Sequence, residues 1–225
     1  MSCAAVIVAS GNSRRMGFDK LAAPLAGQPV LRRSVEVFLA MPEFETVIVV
    51  CPPDRFDALL ADLSPRLIRV DGGAERHDSV AAGLARLPDA CDYVAVHDGA
   101  RPLVNPAAIR ACLEAAREHQ AAALAKPVTD TLKRGDERGM SAGSVPRDGL
   151  WHMETPQIFR TSLLLDAYAT VRARGLLVTD EVSALETLGR TTRLVANDSP
   201  NPKITRPADL QIAAALLRDD ASHLP

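Results

Sequence analysis

Several things are missing from this chain, and each absence closes a door. No two of its four cysteines (Cys3, Cys51, Cys91, Cys112) stand at C-x-x-C spacing, so a zinc ribbon or a dithiol redox site is not indicated. Reduced, buried thiols in a cytoplasmic protein are the expectation. There is no basic excess: the net charge is −2, against the habit of nucleic-acid binders. Any polyanion must therefore be small and met by local cations. No apolar run is long enough to span a bilayer, and no targeting segment, internal repeat or low-complexity tract is visible. The G-x-G-x-x-G fingerprint of a dinucleotide-dependent oxidoreductase is also missing.

What is present is enough apolar residue, 47% of 225, to fill a sizeable core in one domain spanning 1–225. Nearly continuous apolar runs at 4–9, 46–51, 67–70, 93–97 and 122–126 read as strands buried on both faces of a parallel sheet. Amphipathic stretches lie between them. One follows Pro29, with Leu31, Val35, Phe38 and Leu39 on its apolar side. Another follows Asn105 and Pro106, and further helices are expected at 161–174, 180–188 and 207–218. Strands alternating with helices predict an α/β fold, an open, mostly parallel sheet with helices on both faces. Ligands then bind beyond the carboxyl ends of the strands.

The alternation lapses at 131–153. Polar turn residues flanked by short strand-like pieces predict a protruding β-arm, with Trp151 as its anchor; a structureless surface loop is the competing reading.

Four segments carry possible chemistry. The first strand runs into Ser10-Gly-Asn-Ser-Arg-Arg-Met-Gly17, with Lys20 beyond. Small residues let backbone N–H groups approach phosphates, and Arg14, Arg15 and Lys20 add charge; a solvated turn is the plainer alternative. In Asp71-Gly-Gly-Ala-Glu-Arg-His-Asp-Ser79, Gly72 and Gly73 permit close approach and Ser79 could bond a nucleobase. The plainer alternative is a turn into a helix whose first turn uses Glu75 and Asp78. In Val96-His-Asp-Gly-Ala-Arg-Pro102, Asp98 at a strand end suits Mg²⁺ beside a triphosphate, and Arg101 suits a phosphate. Those two could equally pair with each other. His97 has no second histidine at metal spacing and reads as a packed residue. The C-terminal pieces 154–159, 178–183 and 201–207 hold Thr155, Thr179 and Lys203, with Thr179-Asp180 resembling a helix start.

Taken in order, VIVASGNSRRMGFDK, DGGAERHDSV, VHDGARP, PVTDTLKR, VPRDGLWHMETPQIF, TDEVSALE and NPKITRPADL resemble the 2-C-methyl-D-erythritol 4-phosphate cytidylyltransferases of the non-mevalonate isoprenoid pathway. Together they cover nearly the whole chain. The resemblance implies a Rossmann-like nucleotidyltransferase sheet, and a homodimer in which a β-arm crosses to the second subunit. It implies CTP as co-substrate, Mg²⁺ as cofactor and a sugar-alcohol phosphate as acceptor, with neither nucleic acid nor membrane as partner. By resemblance Arg15 and Lys20 stabilise transition-state charge, and Arg147 and Lys203 complete the catalytic set. Ala9, Ser10, Gly11, Gly73 and Ser79 surround the nucleotide. Asp98, Arg101, Thr131, Thr155 and Thr179 lie on the acceptor side, Asp98 also beside the metal. Thr131 and Arg147 would reach the partner's site from the arm. The chain departs from the family at Val8-Ala-Ser-Gly11, where Pro-Ala-Ala-Gly is common, at Ser13, often Gly, and at Gly99, usually Ala. A ribitol 5-phosphate cytidylyltransferase and a non-catalytic nucleotide-binding regulator are the alternatives on the same fold.

Overall fold

The computed structural model describes residues 1–11 and 16–222, with the side chains described through residue 218. In chain order the elements are β1 (Cys3–Val8), β2 (Pro24–Leu25), β3 (Gln28–Pro29), α1 (Val30–Ala40), β4 (Phe44–Val50), α2 (Pro53–Leu59), β5 (Leu67–Val70), α3 (Arg76–Leu84) and β6 (Tyr93–Asp98). There follow α4 (Pro106–His119), β7 (Ala121–Pro127), β8 (Leu132–Gly135), β9 (Ser141–Val145), β10 (Trp151–Arg160), α5 (Thr161–Arg174), α6 (Glu181–Glu186), β11 (Arg193–Ala196) and α7 (Pro207–Ser222).

The seven-stranded sheet runs β11-β7-β10-β6-β1-β4-β5. Every strand points the same way except β10, which is antiparallel to both β6 and β7. Successive residues of β1 feed opposite faces. Ala5 and Ile7 pack with α1, α4 and α7, while Val6 packs with α3, α5 and α6. This explains why the parallel strands read as unbroken apolar runs: each is covered twice. Phe38 of α1 meets Phe44 edge-on at 5.1 Å and also touches the His97 ring, an arrangement that contributes about 0.5–1.5 kcal/mol beyond burial. Asn105 caps α4, its side chain accepting the Ala107 N–H at 2.7 Å, with Pro106 at the first turn.

Three elements differ from the sequence expectation. Trp151 does not belong to a protruding arm; it opens β10 and pairs with Pro127 in the main sheet. A proline within a run argues against a central strand, and Pro156 hid this one. The sheet tolerates it because pairing with β7 breaks between Met153 and Gln157. Within the remainder of the stretch, β8 and β9 form a two-stranded antiparallel sheet of their own, Leu132 opposite Val145, with most of its residues exposed. The short helix α2, begun by Pro53 and Asp54, and the edge strand β11 were also not anticipated.

Among the described residues no helix is long and apolar enough to cross a membrane. All four cysteines are buried and unpaired.

Candidate active site

The carboxyl ends of β1, β4, β5 and β6 open onto one cleft of about 800 Å³. Its lining includes Ala9, Ser10, Gly11, Lys20, Gly73, Asp98 and Lys203, which the sequence had assigned to the site from segments far apart in the chain. Arg14 and Arg15 lie outside the described residues.

The loop after β1 is held from beneath. Ala9 N–H donates to Val50 O at 2.9 Å. Arg55 of α2 donates to the carbonyls of Ala9 and Gly11 and pairs with Asp19 at 3.1 Å. Its side chain is only 10% exposed, so this is an internal brace rather than a surface contact. Ser10 Oγ lies 2.8 Å from Ser79 Oγ, which also accepts the Gly73 N–H at 3.1 Å. Ser79 is buried and outside the cleft lining. In this structure it ties two phosphate-loop candidates together instead of facing the cleft. The close approach requires glycine: a Cβ on Gly72 would fall 2.4 Å from Ser10 Cβ, and one on Gly73 would fall 2.2 Å from Asp78 Cβ. The plainer reading of Glu75 and Asp78 also holds, since the Asp78 carboxylate accepts the Glu75 N–H at 3.1 Å as α3 begins.

Asp98 is the charged centre of the cleft. Lys203 Nζ stands 2.8 Å from Oδ2, Arg101 Nε 3.6 Å from Oδ2, and Arg76 Nε 3.4 Å from Oδ1. Burial alone would raise the carboxyl pKa, but Arg76, Lys203 and Arg101 outweigh it and hold it far below the usual range. Its backbone N–H donates to Thr155 Oγ1 at 3.0 Å. The same hydroxyl meets His97 Nδ1 at 3.0 Å, and His97 Nε2 meets Arg101 O at 3.2 Å. Burial pushes His97 down to about 4, so the ring is neutral at pH 7, a packed histidine as expected. Thr155 is itself buried and orients Asp98 from behind the wall.

Arg101 is engaged within the chain, donating to the carbonyls of Asn201 at 2.7 Å and Met153 at 3.3 Å. It lines a second, smaller depression that shares Lys203 with the main cleft. Lys20 Nζ donates to Ile204 O at 2.8 Å, which draws the Lys203 loop toward the first strand end. Thr179 is exposed, its N–H donating to Ser183 Oγ at 3.2 Å beside the Asp180 cap of α6. Thr131 and Arg147 lie at the β8–β9 sheet and do not line the cleft of their own chain; Arg147 donates to Thr129 O.

Three residues of this site escaped the sequence reading: Arg55, Arg76 and Glu181. Arg76 bridges Asp98 and the fully buried Glu181. Its position inside a glycine-rich, charged segment was the one available signal.

Among the described residues no group of three or more His, Cys, Asp or Glu could hold a metal by itself. One carboxylate facing the cleft nevertheless suits Mg²⁺, which takes one or two protein carboxylates and completes its shell from phosphates and water.

The comparisons with known proteins agree with this geometry. The profile of the 2-C-methyl-D-erythritol 4-phosphate cytidylyltransferase family matches residues 3–219. The cytidylyltransferase of that name from Prochlorococcus marinus is 39% identical, over 94% of this chain and 96% of its own. A bifunctional IspD/IspF enzyme of Desulforudis audaxviator is 43% identical over 95% of this chain, which spans 56% of that relative. The crystal structure of the Thermus thermophilus cytidylyltransferase superposes with a TM-score of 0.83 at 32% identity, covering 97% of this chain and 100% of that one. On the profile match and these identities, the chain belongs to the 2-C-methyl-D-erythritol 4-phosphate cytidylyltransferase family.

Proposed function

We propose that this chain transfers CMP from CTP to 2-C-methyl-D-erythritol 4-phosphate, releasing pyrophosphate and giving 4-diphosphocytidyl-2-C-methyl-D-erythritol. The observation that carries the reading is the meeting of Lys20, Lys203 and Asp98 on one cleft beside the backbone of Ala9–Gly11 and Gly73.

The acceptor's phosphate oxygen attacks the α-phosphorus of CTP. A phosphate monoester with second pKa ~6 is largely dianionic at neutral pH and needs little activation. The obstacle is repulsion between two polyanions, so positioning and charge compensation dominate. The backbone of Ala9, Ser10, Gly11 and Gly73 cradles the triphosphate. Lys20, together with Arg15, offsets charge growing on the leaving pyrophosphate. Lys203 and Arg101 hold the acceptor's phosphate, and Thr179 contacts the acceptor. Asp98 would hold Mg²⁺, which neutralises phosphate charge when bound. The transfer needs no side-chain nucleophile, and burial pushes the thiols of Cys51 and Cys112 up to about 11 and about 12, so neither is a thiolate at pH 7.

Thr131 and Arg147 complete the site of a second copy in a homodimer joined through β8 and β9. A two-stranded sheet is marginal in water unless it packs on something, which supports this reading. The test is pyrophosphate release from CTP, with methylerythritol phosphate and ribitol 5-phosphate compared in parallel, with and without Mg²⁺. Turnover with the first acceptor and Mg²⁺ is expected. Preference for ribitol 5-phosphate would replace the acceptor, and release without any acceptor would replace the reaction.

A further inference from the structure

Glu181, the first residue of α6, is fully buried and does not line the cleft. Its carboxylate accepts Arg76 Nη1 at 2.7 Å, Arg76 Nη2 at 3.1 Å and the Tyr168 hydroxyl at 3.1 Å. The N–H groups of Glu181 and Val182 both donate to Gln157 Oε1 at 3.1 Å, fixing the helix start on β10. An arginine fork is planar, so engaging both terminal nitrogens sets where the third one points. In Arg76 that third nitrogen, Nε, points at Asp98 Oδ1.

We propose that Glu181 is a positioning residue: by clamping the Arg76 fork it fixes the Asp98 carboxylate, leaving Lys203 as the cation that exchanges between Asp98 and a bound phosphate. The proposal rests on the nucleotidyl-transfer reading of the cleft. Arg76 and Arg101 are both tethered within the chain, Arg76 by Glu181 and Arg101 by the carbonyls of Asn201 and Met153, whereas Lys203 is the more exposed partner of Asp98. Oδ1 faces Arg76, which Glu181 restrains, while Oδ2 faces Lys203, the most exposed of the three cations at 39%. A buried ion pair is weak as a source of stability, because desolvation offsets most of its attraction. Orientation is the function this pair performs well. Without the Glu181 charge, Arg76 has one carboxylate left, turns its fork onto Asp98 and competes with Lys203 there.

The test compares Glu181→Gln, Arg76→Met, the double variant, and Tyr168→Phe, which removes one hydrogen bond from Glu181 but leaves the ion pair. Each is assayed for pyrophosphate release and thermal unfolding. Both single variants are expected to lose about tenfold or more in kcat with a smaller change in KM for CTP, and the double variant to lose no more than the worse single one, the mark of coupled residues. Tyr168→Phe should lower Tm but keep wild-type kcat. A folded Glu181→Gln with wild-type kcat, or losses that multiply in the double variant, would overturn the proposal. If Glu181→Gln does not fold, Arg76→Lys, which keeps the charge but loses the fork, carries the same expectation. Hydrogen exchange at Arg76 Nε, read by NMR, needs no turnover. It should be slow in the native chain and accelerate in Glu181→Gln; unchanged exchange overturns the proposal even if the chain proves inactive with both acceptors.

Discussion

Lys203 Nζ and Asp98 Oδ2 are 2.8 Å apart, closer than either arginine comes to that carboxylate. A strand end and a loop more than a hundred positions away thus share one charged contact at the centre of the cleft. Lys20 reaches the same loop through Ile204 O at 2.8 Å. Both lysines thus meet on the 203–204 loop at the cleft. Replacing either by alanine should reduce kcat by about 10²-fold or more, the scale of losing one preorganised transition-state charge contact. The measurement is steady-state turnover of protein shown to be folded by circular dichroism. Near-normal kcat in either variant would remove that lysine from the mechanism.

Gly72 gives a test of the nucleotide cradle that leaves every charge in place. An added Cβ would sit 2.4 Å from Ser10 Cβ and 3.0 Å from Ser79 Oγ, so the loop after β1 must move. Gly72→Ala should raise KM for CTP by about tenfold while costing about 1–3 kcal/mol of stability, the usual range for overpacking. Unchanged nucleotide affinity would mean that the loop does not shape the triphosphate site.

His97 makes stability depend on pH. The unfolded ring titrates at 6.5, whereas burial lowers the folded value to about 4. Between those values the unfolded chain holds the extra proton, so stability rises with pH. It is fully present above pH 6.5 and declines through the window down to about 4, by about 3 kcal/mol at 1.36 kcal/mol per unit. Asp98, whose folded pKa is also depressed, adds its own loss only below the carboxylate value of 3.8. Chemical denaturation across pH 4 to 7 checks this, and His97→Gln should flatten that window while leaving the steeper acid limb.

The dimer proposal is tested by mixing. Arg147→Ala and Lys20→Ala should each be nearly inactive alone. If Arg147 completes a neighbour's cleft, mixed dimers contain one intact site and recover activity. Failure to recover in a verified heterodimer would return Arg147 to its own chain.

How much of this was visible in the sequence follows from the range of the interactions involved. Strands covered on both faces announce themselves as apolar runs, and β5 spans the residues expected of it. Caps such as Asn105 are local and equally readable. β10 was hidden because Pro156 interrupts it and its partners lie elsewhere in the chain. The motif segments located the cleft, but the roles of Arg55, Arg76 and Glu181 depend on partners that spacing does not reveal, Glu181 being 105 positions from Arg76. Gly99 makes the same point. It stands where the family usually has alanine, and a Cβ there would lie 2.8 Å from Leu31 Cδ1 and 3.2 Å from Val8 O. That closeness of α1 to the strand end is a packing relation the motif does not show.

The central claim is direct, in-line transfer between two phosphates in a cleft that supplies charge but no nucleophile. The stereochemistry of a CTP analogue made chiral with sulfur at the α-phosphorus tests it most directly. One displacement inverts that centre, so the account predicts product of inverted configuration and no labelled protein. Retention of configuration, which requires two displacements through a nucleotidyl-protein intermediate, would contradict it.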